Sequence, residues 1–317
     1  MIAPDSGTRD LSIVVPAYNE AGGIRTVLER LVAEMPGAEI IVVDDASRDG
    51  TGAIAAAVPG VRVCRHRFNR GQGAALKSGM QAATRTYVAW FDGDNEHRVE
   101  DLRSLYAGIR ADDAVAAIGQ RTTGSASLTR AVGKFVIRLV GRGLGIRAGA
   151  DLNCGLRVFR RDVILRYLPL IPNRFSASLV TTLVMLERGY PMLFVPVATN
   201  PRIGSSTVRI KDGFEATLQL IRAVLLFAPI RFFLPIGIVS GLAGTAYSLV
   251  MAAVVGLGIP VGGMLLILAG ILIVMLGLIA DQISQMRLSG LEGSPAAEPM
   301  AVTPSAPTVT DHASPPQ

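Results

Sequence analysis

From Phe232 to Ala280 the chain runs for 49 residues without an Asp, Glu, Lys, Arg or His. A hydrocarbon layer takes about 20 helical residues per crossing, so the run is long enough for two crossings. Its middle, Gly256-Leu257-Gly258-Ile259-Pro260-Val261-Gly262-Gly263, is turn-like and divides it into helices of roughly 233–255 and 262–280. Core helices of soluble domains rarely lack charge for so long. Both ends of such a hairpin lie on one side of the bilayer. Arg222 and Arg231 before it and Arg287 after it assign that side to the cytoplasm. The expectation is an integral protein of the cytoplasmic membrane, with residues 1–212 as one cytoplasmic domain, 232–281 as the hairpin and both termini cytoplasmic.

Between them, residues 213–231 carry Phe214, Leu218, Ile221 and Leu225 at helical spacing, which suits a helix lying on the bilayer surface or an ordinary core helix. Residues 290–317 are rich in Pro, Ala, Ser and Thr without Lys or Arg, and read as a disordered tail. No signal peptide is indicated at the N-terminus. Cys64 and Cys154, the two cysteines, suggest neither a disulfide framework nor a zinc site.

Net charge is +6, unevenly distributed: eleven Lys or Arg against Asp151 and Asp162 between Arg121 and Arg174. Arg130, Lys134, Arg138 and Arg142 recur every fourth residue and form one stripe on a helix, suited to lipid phosphates or to a solvated face. Nucleic acid is not an expected partner, because no aromatic residues interleave with these charges.

In the first half, runs at Leu11–Pro16, Glu39–Asp45, Val61–His66, Thr86–Asp92 and Ala114–Gly119 read as strands, alternating with helices near 20–35, 51–58, 72–84 and 98–110. This order predicts an α/β fold with a mostly parallel, doubly wound sheet and ligands at the C-terminal strand ends. At the end of the fourth strand stand Asp92-Gly93-Asp94, followed by Asn95-Glu96-His97. Two carboxylates two positions apart can hold a hard divalent cation against a diphosphate, although the same residue types also make ordinary turns. A calcium loop here fails, with His97 and Arg103 where Gly and Glu are needed. Gly71-Gln72-Gly73 is not a dinucleotide fingerprint, because Leu76 takes the place of the third glycine.

Taken in order, the segments Val14–Glu20, Val42–Thr51, Asn69–Gly79, Asp92–Asp94, Gly119–Arg121, Asp151–Arg161 and Val195–Ser206 resemble the family 2 glycosyltransferases. Within these they are similar to the polyprenyl-phosphate glycosyltransferases of the dolichol-phosphate mannose synthase type. The resemblance covers roughly residues 10–235, and bacterial members also end in a membrane hairpin. It implies a GT-A (Rossmann-like) domain that moves a sugar from a nucleoside diphosphate, GDP-mannose or a UDP-hexose, to a polyprenyl phosphate, with inversion and with Mg2+ or Mn2+. The metal set implied is Asp92, Asp94 and Glu96, the last standing where the family often has Gln. Donor contacts are implied for Pro16, Tyr18, Glu20, Asp44, Asp45, Asn69, Lys77, Asp92 and Gly93, with Asp44 or Asp45 near the base. Arg121, Arg130, Lys134, Arg202 and Ser206 are implied at the acceptor phosphate, and Asp94, Arg121 and Arg202 as the catalytic set. His97 is expected behind the ligands or exposed to solvent, rather than as a ligand or base.

Two features depart from the family pattern. Thr207 replaces a Lys, and the segment 174–189 has no acidic residue before Glu187. These departures motivate one rival reading, a non-catalytic lipid-phosphate-binding membrane subunit, and a second stands within the enzymes, transfer to a hydroxyl acceptor. The partners expected are a nucleotide sugar, a polyprenyl phosphate and the membrane; a homo-oligomer is left open.

Overall fold

A computed structural model describes residues 7–121, 151, 154–174, 176–198, 229–256 and 260–292. The basic stripe from Arg130 to Arg142, the segment with Arg202, Ser206 and Thr207, the juxtamembrane stretch up to residue 228 and residues 293–317 lie outside the described residues.

Seven strands form one sheet in the order β3-β2-β1-β4-β6-β5-β7. They are β1 (Leu11–Ala17), β2 (Glu39–Asp44), β3 (Val61–Arg65), β4 (Tyr87–Trp90), β5 (Ala116–Arg121), β6 (Arg157–Arg160) and β7 (Met192–Val197). The first five match the runs read from the sequence to within a few residues. The register pairs Ala17 with Asp44 and Asp44 with Arg65, so the C-terminal ends of β1, β2 and β3 are level. Val14 pairs with Trp90, placing Asp92–Asp94 just beyond the same edge.

β6 was not legible as a strand. It inserts antiparallel between β4 and β5, while β5 pairs in parallel with β7. The middle of β6, Val158-Phe159, buries one side chain on each face, into the two separate apolar layers of the domain.

Those layers explain the strand composition. β1 is buried along its whole length, as expected of a strand covered on both faces. Leu11, Ile13 and Val15 pack with Ile24, Val27, Leu28 and Leu31 of α1 (Ile24–Glu34) and with Leu102, Leu105 and Ile109 of α4 (Val99–Ala111). Val14 faces the opposite layer, with Ala75, Leu76 and Met80 of α3 (Gln72–Ala82). The short α2 (Thr51–Ala56) follows β2. After β6 the chain forms α5 (Arg161–Ile164), a 3-10 turn over Leu165–Leu170, and α6 (Ala177–Glu187).

Helix α3 sits against β1 because Gly79 has no side chain: a Cβ there would collide with Val14 Cγ1 and lie 3.1 Å from its Cγ2. Gly79→Ala is therefore expected to cost about 1–3 kcal/mol by overpacking, read as a lowered midpoint in a thermal-shift measurement.

Two long helices close the described chain, α7 (Pro229–Val255) and α8 (Val261–Glu292). Each contains a span long and apolar enough to cross a membrane, Pro229–Val254 and Val261–Arg287, with mean hydropathies of 1.6 and 2.8. Their backbones approach at glycines: a Cβ on Gly270 would lie 2.6 Å from the Gly237 carbonyl oxygen, and one on Gly244 would lie 2.7 Å from that of Gly263. Small residues at such seams allow the close packing on which helix pairs in lipid depend. The outward faces present Leu242, Leu249, Val254, Leu268 and Leu272. At 32 residues, α8 is about 48 Å long and exceeds the roughly 30 Å of a hydrocarbon core. Its polar end returns to the α/β domain, where Gln285 Nε2 lies 3.5 Å from Glu187 Oε1 and Ser284 is buried. The helix runs on to Glu292, so the tail read from Gly290 begins inside its last turn.

Candidate active site

The residues after β1, β2, β3 and β4 converge at one edge of the sheet. Around the first three strands an open cleft of about 520 Å³ is lined by Tyr18, Ala46, Ser47, Arg65, Phe68 and Asn69, among others. Tyr18 and Phe68 are exposed aromatic rings on its wall. Its rim is cross-tied. Asn19 Oδ1 accepts from the Arg48 amide at 3.0 Å, the Asn19 amide donates to Ser47 Oγ at 3.0 Å, and the Glu20 amide donates to Thr51 Oγ1 at 2.9 Å. Asn19 and Ala46 both hold positive φ, 57° and 63°, which turns the two loops toward one another. Pro16 is the penultimate residue of β1 and supports this wall from within the strand.

Asp44 and Asp45 are buried and do different jobs. Asp44 Oδ1 accepts from the Ser47 amide at 2.9 Å, and its Oδ2 lies 3.2 Å from Arg65 Nε. Asp45 accepts from the Arg70 amide at 2.9 Å and the Gly71 amide at 2.7 Å, and its Oδ1 lies 2.6 Å from His66 Nδ1. Its carboxylate thus organises the loop between β3 and α3, because a carboxylate at the end of β2 is the nearest acceptor for amides that a tight turn leaves unpaired.

The ammonium of Lys77, a residue expected at the donor, donates to the Ile171 carbonyl and to Asn173 Oδ1. Burial, helped by the charge of Arg70, pulls its pKa below the usual lysine range. The start of α3 is docked on the same segment. The Gly73 amide donates to Arg174 O at 3.2 Å and the Ala74 amide to Asn173 O at 2.8 Å. A Cβ on Gly71 would lie 2.6 Å from the Asn173 carbonyl oxygen, so the glycine is needed for this approach. The amides of Gly73 and Ala74 at this helix start are therefore taken up by the chain's own carbonyls.

Beyond β4, Asp94 is 7% exposed and accepts the Glu96 amide on Oδ1 at 3.0 Å, closing a turn through Asn95 at φ 63°. Gly93 is buried between Ile24 and the end of β1. Asp92 is held from both sides: Gln72 Nε2 donates to Oδ1 at 2.9 Å, and His97 Nε2 lies 3.3 Å from Oδ2. His97 is 3% exposed, which excludes the exposed alternative and makes it a support for Asp92. Burial acts to lower its pKa, but the hydrogen bond to Asp92 and the charges of Asp92, Glu96 and Asp94 outweigh that and raise it.

The second half of the site comes from β5. Arg121, its last residue, forms a two-pronged pair with Asp151, Nε to Oδ2 at 2.6 Å and Nη2 to Oδ1 at 3.3 Å. Its remaining Nη1 lies 3.5 Å from Glu96 Oε1. The bond to Asp151 is the first cause that raises its pKa, so the guanidinium is always charged. Gly155 lies across from Asp92, and a Cβ there would collide with the Asp92 carboxylate and sit 3.2 Å from His97 Nε2. Gly155→Ala is expected to reduce turnover at least about tenfold by displacing Asp92, with little change in the thermal midpoint. Beside it Arg157 is fully buried, donating to Cys154 O at 2.7 Å and to Thr182 Oγ1 at 2.6 Å, and burial pulls its pKa to about 10.

Asp92, Asp94 and Glu96 supply hard oxygen donors on one turn, the type that suits Mg2+ or Mn2+. No group of three His, Cys, Asp or Glu among the described residues converges as a ligand cluster. Gln72, Asp151 and Gly155 are the residues sequence reasoning did not single out. Each stood within a motif, but only the folded register reveals its partner.

A GT-A sheet with this acidic turn at its C-terminal edge, followed by two membrane-length helices, defines a glycosyltransferase carrying a membrane hairpin. Comparison with known proteins agrees: residues 12–167 match the glycosyl transferase family 2 model, and residues 228–286 match the GtrB C-terminal hairpin. The chain belongs to glycosyl transferase family 2. It is 30% identical over 223 residues to an uncharacterized protein of Methanocaldococcus jannaschii, covering 67% of this chain and 91% of that one. It is 26% identical over 264 residues to the undecaprenyl-phosphate 4-deoxy-4-formamido-L-arabinose transferase of Sodalis glossinidius, covering 76% and 75% of the two chains. Its fold is similar to that of glucosyl-3-phosphoglycerate synthase from Mycobacterium tuberculosis, solved with Mn2+, UDP and glucosyl-3-phosphoglycerate. The TM-score is 0.56 at 22% identity, over 68% of this chain and 79% of that one.

Proposed function

We propose that the chain transfers a sugar from a nucleoside diphosphate, GDP-mannose or a UDP-hexose, to the phosphate of a polyprenyl carrier at the cytoplasmic face of the membrane. The observation that carries this reading is the adjacency of the acidic turn Asp92–Glu96 and Arg121, 3.5 Å apart at Glu96, on a domain that ends in a membrane-length hairpin. It supports a donor-diphosphate site at the acidic turn beside an acceptor-phosphate site at Arg121. The relative from Sodalis glossinidius, named for transfer to undecaprenyl phosphate, supports the same acceptor class.

A phosphate monoester has a second pKa near 6, so the acceptor is largely ionised at neutral pH and requires no general base. This suits a site in which His97 is buried against Asp92 rather than open to a substrate. One acceptor oxygen forms a bond to the anomeric carbon from the face opposite the leaving group. The bond from that carbon to the diphosphate oxygen breaks, its electron pair leaves with the nucleoside diphosphate, and configuration inverts. Arg121 orients the acceptor phosphate, joined in this reading by Arg130, Lys134, Arg202 and Ser206 from outside the described residues. Asp92 and Asp94 hold Mg2+ or Mn2+, which when bound stabilises negative charge on the departing diphosphate. The cleft between Tyr18 and Phe68 takes the base, flanked by Arg48, Arg65 and Arg67.

The test is to incubate purified protein, polyprenyl phosphate and Mg2+ or Mn2+ with a panel of labelled nucleotide sugars, then extract into organic solvent. One donor is expected to give a labelled lipid, abolished by EDTA. Label on a lipid alcohol instead would favour the hydroxyl-acceptor reading, and no labelled lipid from any donor would contradict transfer altogether.

A further inference from the structure

Glu96 belongs to two constellations at once. Its amide is fixed to Asp94 Oδ1, which places its side chain on the turn that carries the metal-type carboxylates. Its Oε1 nevertheless lies 3.5 Å from Arg121 Nη1. The two partners of Arg121 are unequal. Asp151 grips Nε and Nη2 with a contact as short as 2.6 Å, the geometry of a strong fork. Glu96 reaches the one remaining nitrogen only at 3.5 Å, with both side chains 29% exposed. A weak, partly solvated ion pair of this kind exchanges readily, and the partner an incoming anion displaces is Glu96, not Asp151.

Resting on the transferase reading, we propose that Glu96 is a positioning residue that couples the two substrates. It pairs with Arg121 when the site is empty and moves to the divalent cation when an acceptor phosphate takes Arg121. The coupling runs both ways, because a cation that draws Glu96 away frees Arg121 for phosphate. A glutamine at this position could ligate a cation but could not form the competing ion pair, so the switch belongs to the charge of this chain's own residue. Exposed pairs of this kind shift an affinity about two- to fivefold.

Binding of Mn2+ alone, followed by the electron paramagnetic resonance signal of free Mn2+, tests this on four full-length proteins: wild type, Arg121→Gln, Glu96→Gln and the double variant. Arg121→Gln is expected to tighten Mn2+ about two- to fivefold when Glu96 is intact, and not when it is combined with Glu96→Gln. Equal tightening in both backgrounds would reduce the effect to loss of a positive charge and overturn the proposal, as would no tightening in either. A second measurement guards against misfolding of the Arg121 variant. In EDTA, Glu96→Gln is expected to bind polyprenyl phosphate about two- to fivefold more tightly than wild type, and saturating Mn2+ is expected to erase the difference. A difference that persists in Mn2+, or none in EDTA, counts against it. If wild type transfers sugar normally but shows neither effect, only this inference fails. If no variant binds Mn2+ and wild type makes no lipid product, the transferase reading fails with it.

Discussion

Asp94→Asn is expected to lower sugar transfer by about 10³-fold or more while leaving the thermal midpoint within about 2 °C of wild type. The amide oxygen of Asn can still accept the Glu96 amide that Asp94 accepts at 3.0 Å, so the turn is kept. What is lost, in the proposed mechanism, is one of the two carboxylates that hold a cation against the diphosphate, and the amide that replaces it carries no charge. Steady-state rates beside a melting curve check this. A variant that keeps a tenth of the wild-type rate would mean that Asp94 is a turn residue and not part of the chemistry.

Asp45→Ala is expected to be the most destabilising single change at the cleft, costing about 3–5 kcal/mol. The substitution strips a buried acceptor from the Arg70 and Gly71 amides and from His66, leaving donors without a partner in a loop whose glycine is pressed against Asn173. For a domain of roughly 200 residues this corresponds to a midpoint lowered by about 10 °C. The result discriminates between two roles. An unchanged midpoint with lost nucleotide affinity would return Asp45 to the base-contacting role implied by the sequence resemblance.

Much of the fold was legible because local rules and tertiary structure agree. The five runs of the first half became strands: β1 and β2 are largely apolar because they are buried on both faces, while β3 at the sheet edge mixes Val and Cys with Arg. The charge-free run became two helices for the same reason, applied to lipid. β6 was hidden: four residues with an Arg at each end carry no periodicity, and their place between β4 and β5 is set by long-range pairing. The site shows the same division. Asp92 and Asp94 were read as metal-type carboxylates at a strand end, Glu96 and Arg121 through the family resemblance, and the register brings all four to one edge. Lys77 was read through the family resemblance as a donor contact, and its partners in the fold are the Ile171 carbonyl and the Asn173 side chain, far away in the chain. A sequence shows which residues can bind an anion. It does not show which are already occupied by backbone.

The central claim is that the nucleophile is a phosphate monoester held beside Arg121. Phosphorus NMR of the lipid during turnover tests it most directly. Conversion of the polyprenyl monoester resonance to a diester resonance, in step with released nucleoside diphosphate and absent with Asp94→Asn, is the expected result. Nucleotide release with the monoester signal unchanged would contradict it.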